Sequence, residues 1–154
     1  VFNMSMYDRL VFIDMDVLIL KDIHYLFEVN DPIAGVQAYS ASSDSLRNMI
    51  NTGVFVLNKP FINEEYYKAI IRRCRHGFSM PDQKAINKTF AGKIKFLPKE
   101  YNMEKRILNS KNFNWKEAKV LHYVSHKPWD KNPPTGNNMG FKEMEDLWWE
   151  YYNG

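Results

Sequence analysis

The sequence predicts an α/β fold, a mixed and mostly parallel sheet flanked by helices, on three observations. Leu10-Val11-Phe12-Ile13 is an unbroken apolar run between polar residues, the pattern of a strand buried on both faces of a parallel sheet. Further β-rich segments recur along the chain, with convincing helical patterns set between them. Asp14 and Asp16 directly follow the first run, at the carboxyl end of a strand, where open α/β sheets bind ligands.

The elements follow in order. After the first strand, a second is expected at Ala34 to Ala38. A third is expected at Gly53 to Leu57, rich in β-branched and aromatic residues and stopped by Lys59-Pro60. A helix then opens at Asn63 as N-cap, with Glu64 and Glu65 in its first turn and Tyr67, Ile70, Ile71 and Cys74 as its apolar face. Arg72, Arg73, Arg75 and His76 crowd its last turn and Gly77 ends it, which suits the helix dipole. A second helix runs from about Pro81 to Ala91, capped by Ser79 and ended by Gly92, with Ala85, Ile86 and Phe90 facing inward. Strands at Lys93 to Leu97 and Lys119 to Val124 come next, then a loop over Asp130 to Gly140 and a helix over Phe141 to Tyr152.

Composition narrows the function. The 154 residues are 45% hydrophobic and 25% charged, an ordinary globular balance for one domain or a piece of one. A net charge of +3 from scattered basic residues excludes a nucleic-acid footprint. No apolar run approaches the roughly 20 residues of a membrane span, so no membrane contact is expected within this chain. A single cysteine, Cys74, excludes an internal disulfide framework. Four Trp, nine Tyr and ten Phe suit a large core or a sugar-facing cleft. The C-terminal Trp148, Trp149, Tyr151 and Tyr152 are read as a helix face packed on the sheet rather than a glycan platform.

Candidate chemistry starts at Asp14-Met15-Asp16. In extended backbone, residues two apart point the same way, so both carboxylates project together and Met15 points elsewhere. Such a pair repels itself unless a cation neutralises it, and oxygen ligands suit Mg²⁺ or Mn²⁺. The alternative is a pair of solvated turn carboxylates. His122 ends a strand and is followed by Lys127-Pro128-Trp129, which raises it above an ordinary structural histidine. His24 and His126 read as surface residues. Asn51-Thr52-Gly53 reads as a turn before the third strand, Asp82 as the partner of the Ser79 cap, and Asn102 carries no signal alone.

Taken in order, these pieces resemble glycosyltransferase family 8. Tyr7-Asp8-Arg9 through Leu26-Phe27 resembles its metal-binding segment, and Asn51-Thr52-Gly53-Val54-Phe55 its Asn-Ser/Thr-Gly-Val-Phe strand. Pro81-Asp82-Gln83, Leu97-Pro98 to Tyr101-Asn102, and His122 to Lys127-Pro128-Trp129 resemble its remaining motifs, in family order. The resemblance implies a GT-A fold and a Mn²⁺-dependent, retaining transfer of a hexosyl or pentosyl group from a UDP-sugar to a carbohydrate or protein hydroxyl. It implies Asp14, Asp16 and His122 as metal ligands, with Mg²⁺ as the other candidate ion. Lys127 would meet the diphosphate; Asn51, Thr52, Gly53 and Ser125 would contact the substrate. Asp82, Gln83 and Asn102 would stand closest to the reacting sugar.

Two departures from the family pattern carry expectations. Ser125 replaces the family glycine, so a positive φ there would cost energy. The family's first, nucleoside-binding elements are missing, so residues 1–154 are expected to form one partial catalytic domain carrying the metal, diphosphate and sugar side. A non-catalytic nucleotide-sugar-binding or interaction domain, another metal-dependent transferase such as a nucleotidyltransferase, and a purely structural domain are the rival readings. Compartment and oligomeric state, a homodimer included, stay open.

Overall fold

The computed structural model describes residues 1–40, 45–75, 81–109, 114–130 and 139–154. The strands are β1 (Arg9–Ile13), β2 (Val17–Ile19), β3 (Ile33–Ser40), β4 (Ser45–Asn58), β5 (Ile94–Phe96), β6 (Met103–Glu104) and β7 (Val120–His122), and the helices are α1 (Glu64–Cys74), α2 (Pro81–Thr89) and α3 (Met139–Asn153). A four-stranded sheet runs β1-β4-β3-β5 and a three-stranded sheet runs β2-β7-β6.

The layers follow from alternation in β4, where successive side chains face opposite sides. Phe55 and Leu57 join Ile33, Ile50, Ile70, Ile86 and Phe90 in a core beneath α1 and α2. Val54 and Val56 face the other way, into a core with Leu26, Ala34, Leu97 and Val120. Val120 belongs to the smaller sheet, which therefore packs across the larger one. The far side of β7 is covered by α3, through Leu121 and Tyr123 against Met144, with Leu147 and Trp148 packed alongside.

The α/β class with a mixed sheet is what the chain adopts. The pairings are not mostly parallel among the described residues: β1–β4, β3–β4 and β2–β7 are antiparallel, and only β3–β5 and β6–β7 are parallel. β1 is an edge strand whose two faces are both covered in part, Leu10 and Phe12 packing on the core beneath α1 and α2 and Val11 on the opposite core. Asn51-Thr52-Gly53 is no turn but the middle of β4, which starts well before Gly53. Its polar first half pairs irregularly with β3 across two register shifts, which hides the strand from any hydrophobic pattern.

Asn63 caps α1, its side chain accepting from the Tyr66 amide at 3.1 Å, as expected. The inward face differs by one residue. Tyr66 stacks on Phe90 with ring centroids 5.1 Å apart, while Tyr67 is exposed. α2 carries Ala85 and Ile86 inward and ends at Thr89, short of the expected Ala91, with Phe90 packed inward just beyond it; Gly92 follows at φ 77°, the left-handed conformation a glycine adopts freely. His76, Gly77, Ser79 and residues 131–138 of the expected loop lie outside the described residues. On α3, Trp148 packs against Tyr123 and Trp129 at 5.1 and 4.9 Å, while Trp149, Tyr151 and Tyr152 are exposed. No helix of the described residues is long and apolar enough to cross a membrane.

Asn87 ties α2 to β4. Its amide donates to the Ile50 and Gln83 carbonyls at 2.9 and 2.8 Å, and its oxygen accepts the Ile50 amide at 2.8 Å. The side chain thus satisfies both backbone groups of Ile50, a position that β1, paired with Val54 to Asn58 only, does not reach. Asn87→Ala strips both buried Ile50 backbone groups, and a loss of about 2 kcal/mol is expected. Urea unfolding measures it; a change within about 0.5 kcal/mol, the scatter of an ordinary surface substitution, would deny the tie its role.

Candidate active site

β1 ends at Ile13 and the chain turns over Asp14 to Asp16 before β2 begins at Val17. The Asp14 amide donates to the Gly53 carbonyl at 2.7 Å, which pins this turn to β4. Val17 pairs with His122 in the β2–β7 ladder, and the Asp16 carbonyl accepts the Tyr123 amide at 2.8 Å. One ligand atom from each of Asp14, Asp16 and His122 therefore lies within 4.8 Å of the others. The convergence expected from extended backbone is real, but a turn produces it, with Met15 projecting into solvent at 90% exposure.

Gly53 makes room for the histidine. A Cβ built on Gly53 would stand 2.1 Å from His122 Cε1 and 2.6 Å from Nδ1, so any side chain there displaces the imidazole. The ring is then oriented by two asparagines. Asn51 Oδ1 accepts from the Gly53 amide at 2.8 Å and from Asn102 Nδ2 at 3.0 Å. With its amino group so used, Asn102 presents Oδ1 to His122 Nδ1 at 2.9 Å. An oxygen there requires a proton on Nδ1. Nε2 is left facing Asp16 Oδ1 at 3.2 Å. It either bears a second proton and pairs with the carboxylate, or offers a lone pair that a cation must separate from it.

Asp16 is ionised at neutral pH. Burial raises its carboxyl pKa, but hydrogen bonds and charge from His122 and Lys127 outweigh burial and hold it at about 2. Lys127 Nζ donates to Asp16 Oδ2 and, at 2.9 Å, to the Tyr123 carbonyl. Ser125, between them on the chain, has φ 73°, the positive value that the sequence flagged as costly for a residue with a Cβ.

A cleft of about 210 Å³ is lined by Asp14, Asp16, Asn51, Thr52, Gly53, Asp82, Gln83, Arg106, His122, Val124, Ser125 and Lys127. Every site residue expected from the sequence is on this wall except Asn102, which is buried behind it at 1% exposure and acts through Asn51 and His122. Gln83 is buried with its amide 3.7 Å from Met49 Sδ, and Asp82 is exposed at the start of α2. The sequence missed Arg106 and Val124. Glu104, Lys105 and Arg106 are three adjacent charges, yet Glu104 and Lys105 are 1% and 2% exposed. Lys105 Nζ donates to the His126 carbonyl at 3.0 Å and pairs with Glu145 at 3.2 Å.

Known proteins match this chain along most of its length. The family described as Glycosyl transferase family 8 matches residues 1–133. Mouse glycogenin-1 is 30% identical over 97% of the chain, which covers 49% of that protein. Arabidopsis thaliana galactinol synthase 4 is 22% identical over 99% of the chain and 56% of its own length. The chain thus spans about half the length of these relatives. Among solved structures, the glycosyltransferase GlyE of Streptococcus pneumoniae superposes with a TM-score of 0.74 at 22% identity, over 97% of this chain and 41% of that one. The galactosyltransferase LgtC, solved with donor and acceptor sugar analogues, gives 0.63 at 16% identity, over 95% and 65%. At these identities the two structures speak for the GT-A fold.

The steric argument at Gly53 is directly testable. Gly53→Ala is expected to push His122 off the carboxylates and, if the three residues hold a divalent ion, to weaken Mn²⁺ binding by tenfold or more, about 1.4 kcal/mol. Titration followed by the electron paramagnetic resonance of free Mn²⁺ reads this; unchanged affinity would mean that His122 is no ligand.

Proposed function

The chain belongs to glycosyl transferase family 8, and from that premise we propose that it transfers a hexosyl or pentosyl group from a UDP-sugar to an acceptor hydroxyl, with retention and with Mn²⁺. The observation that carries this reading is the Asp14–Asp16–His122 triangle on the wall of a cleft that also presents Lys127.

The donor set fits a divalent ion: two carboxylates, and an imidazole whose Nδ1 proton is fixed by Asn102, leaving Nε2 toward Asp16. Asp14, Asp16 and His122 would hold it, with Mg²⁺ as the alternative ion. When bound, it neutralises charge on the donor's diphosphate. Lys127, which donates to Asp16 and the Tyr123 carbonyl and keeps a third N–H, donates to a phosphate oxygen and stabilises the departing nucleoside diphosphate. The Ser125 amide lies in the same turn. Asn51, Thr52, Asp82 and Gln83 line the sugar's side of the cleft. Asp82 and Gln83 orient the sugar so that the acceptor attacks from the leaving-group side. The bond from the anomeric carbon to the acceptor oxygen forms as the bond to phosphate breaks, and the acceptor proton passes to the phosphate oxygen. Residues 1–154 act as part of a catalytic domain, supplying its metal, diphosphate and sugar side.

Calorimetric titration with UDP, with and without Mn²⁺, tests the reading. Binding is expected only with Mn²⁺ and is expected to fall at least tenfold in Asp16→Asn, about 1.4 kcal/mol. UDP affinity indifferent to both the ion and Asp16 would contradict it.

A further inference from the structure

The cleft wall holds one cation that the roles above leave unused. Arg106 follows β6 by two residues, and its Nε donates to Glu104 Oε2. Glu104 is itself buried at 1% exposure, with Oε1 facing the Tyr39 amide at 3.4 Å. In the parallel β6–β7 ladder Glu104 is the register partner of His122, so the pair sits beside the histidine of the metal triangle.

Two considerations point to recognition rather than stability. Burying a carboxylate to hold a guanidinium is on balance no more stabilising than packing apolar side chains there, so stability does not account for the pair. A guanidinium also has five N–H donors, and Glu104 is its one partner among the described residues. The other cation on the wall, Lys127, already donates to Asp16 and the Tyr123 carbonyl. Lys127 keeps one further N–H, whereas four of the five N–H donors of Arg106 have no partner among the described residues, so Arg106 is the cation on this wall with the most donors to spare. Its fixed fork matches the planar or tetrahedral geometry of an oxyanion.

We propose that Arg106 is a specificity-determining residue, aimed by buried Glu104, that binds an oxyanion of a substrate in the cleft. That oxyanion is a phosphate oxygen of the donor's diphosphate or a carboxylate carried by the acceptor. The inference rests on the donor reading above.

Arg106→Lys is the discriminating variant. It keeps a cation for Glu104, and so the fold, but loses the second arm of the fork. The thermal midpoint in the absence of ligand serves as the folding control. If the oxyanion is the diphosphate, Mn²⁺-dependent UDP affinity falls about tenfold in this variant, as for loss of one charge-assisted hydrogen bond. If it belongs to the acceptor, UDP affinity holds. Glucuronate then binds the Mn²⁺–UDP-loaded wild type more tightly than glucose does, and Arg106→Lys erases that preference. Either result supports the assignment. Unchanged UDP affinity together with no wild-type preference for glucuronate would overturn it. A wild-type chain without Mn²⁺-dependent UDP affinity would contradict the donor reading itself, and this assignment with it.

Discussion

The site hangs on one hydrogen-bonded line, from the Gly53 amide through Asn51 and Asn102 to His122 Nδ1. Each link fixes the next. A backbone amide can only donate, so Asn51 must present oxygen; Asn102 must then present nitrogen to Asn51 and oxygen to the imidazole. The proton is thereby set on Nδ1, and Nε2 faces the carboxylates. The line crosses from the larger sheet to the smaller one, since Asn51 and Gly53 lie on β4 and His122 ends β7. Packing of the two sheets through Val54, Val56 and Val120 is therefore what keeps the imidazole over Gly53.

Electrostatics follow from that placement. Asp16 is buried, which alone would favour its protonated form, yet His122 and Lys127 keep it ionised. The site is an internally paired cluster, with Lys127 and His122 both on Asp16. Lys127 Nζ also donates to the Tyr123 carbonyl, which leaves one of its three N–H groups directed to neither partner. The strained Ser125, at positive φ, lies in the loop that carries Lys127 away from β7. Such conformations persist where surrounding structure holds them, which is commonly at ligand sites.

Much of this was legible in the sequence because the signals were local. Asp14-Met15-Asp16 after an apolar run, Asn63 before two glutamates, and the ordered motifs ending in Lys127-Pro128-Trp129 all lie in short stretches. What the sequence hid depends on distant partners. The first half of β4 is polar and is held by irregular pairing and by Asn87, so no alternation marks it. Asn102 shows its role only when Asn51 and His122, far apart on the chain, close around it. Glu104 and Lys105 look solvated in a charged run and are buried because Arg106, Glu145 and the His126 carbonyl pair with them. On α1 it is Tyr66 and not Tyr67 that faces inward, and only the aromatic cluster with Phe61 and Phe90, distant in the chain, distinguishes the two adjacent tyrosines.

The central claim is that Asp14, Asp16 and His122 Nε2 form a divalent-metal site whose imidazole is oriented by Asn102. Anomalous diffraction from crystals grown with Mn²⁺ and UDP tests it most directly. The account predicts an anomalous peak between the two carboxylates and Nε2, with Asn102 Oδ1 still on Nδ1. A peak on other ligands, on Nδ1, or nowhere in this cleft would contradict it.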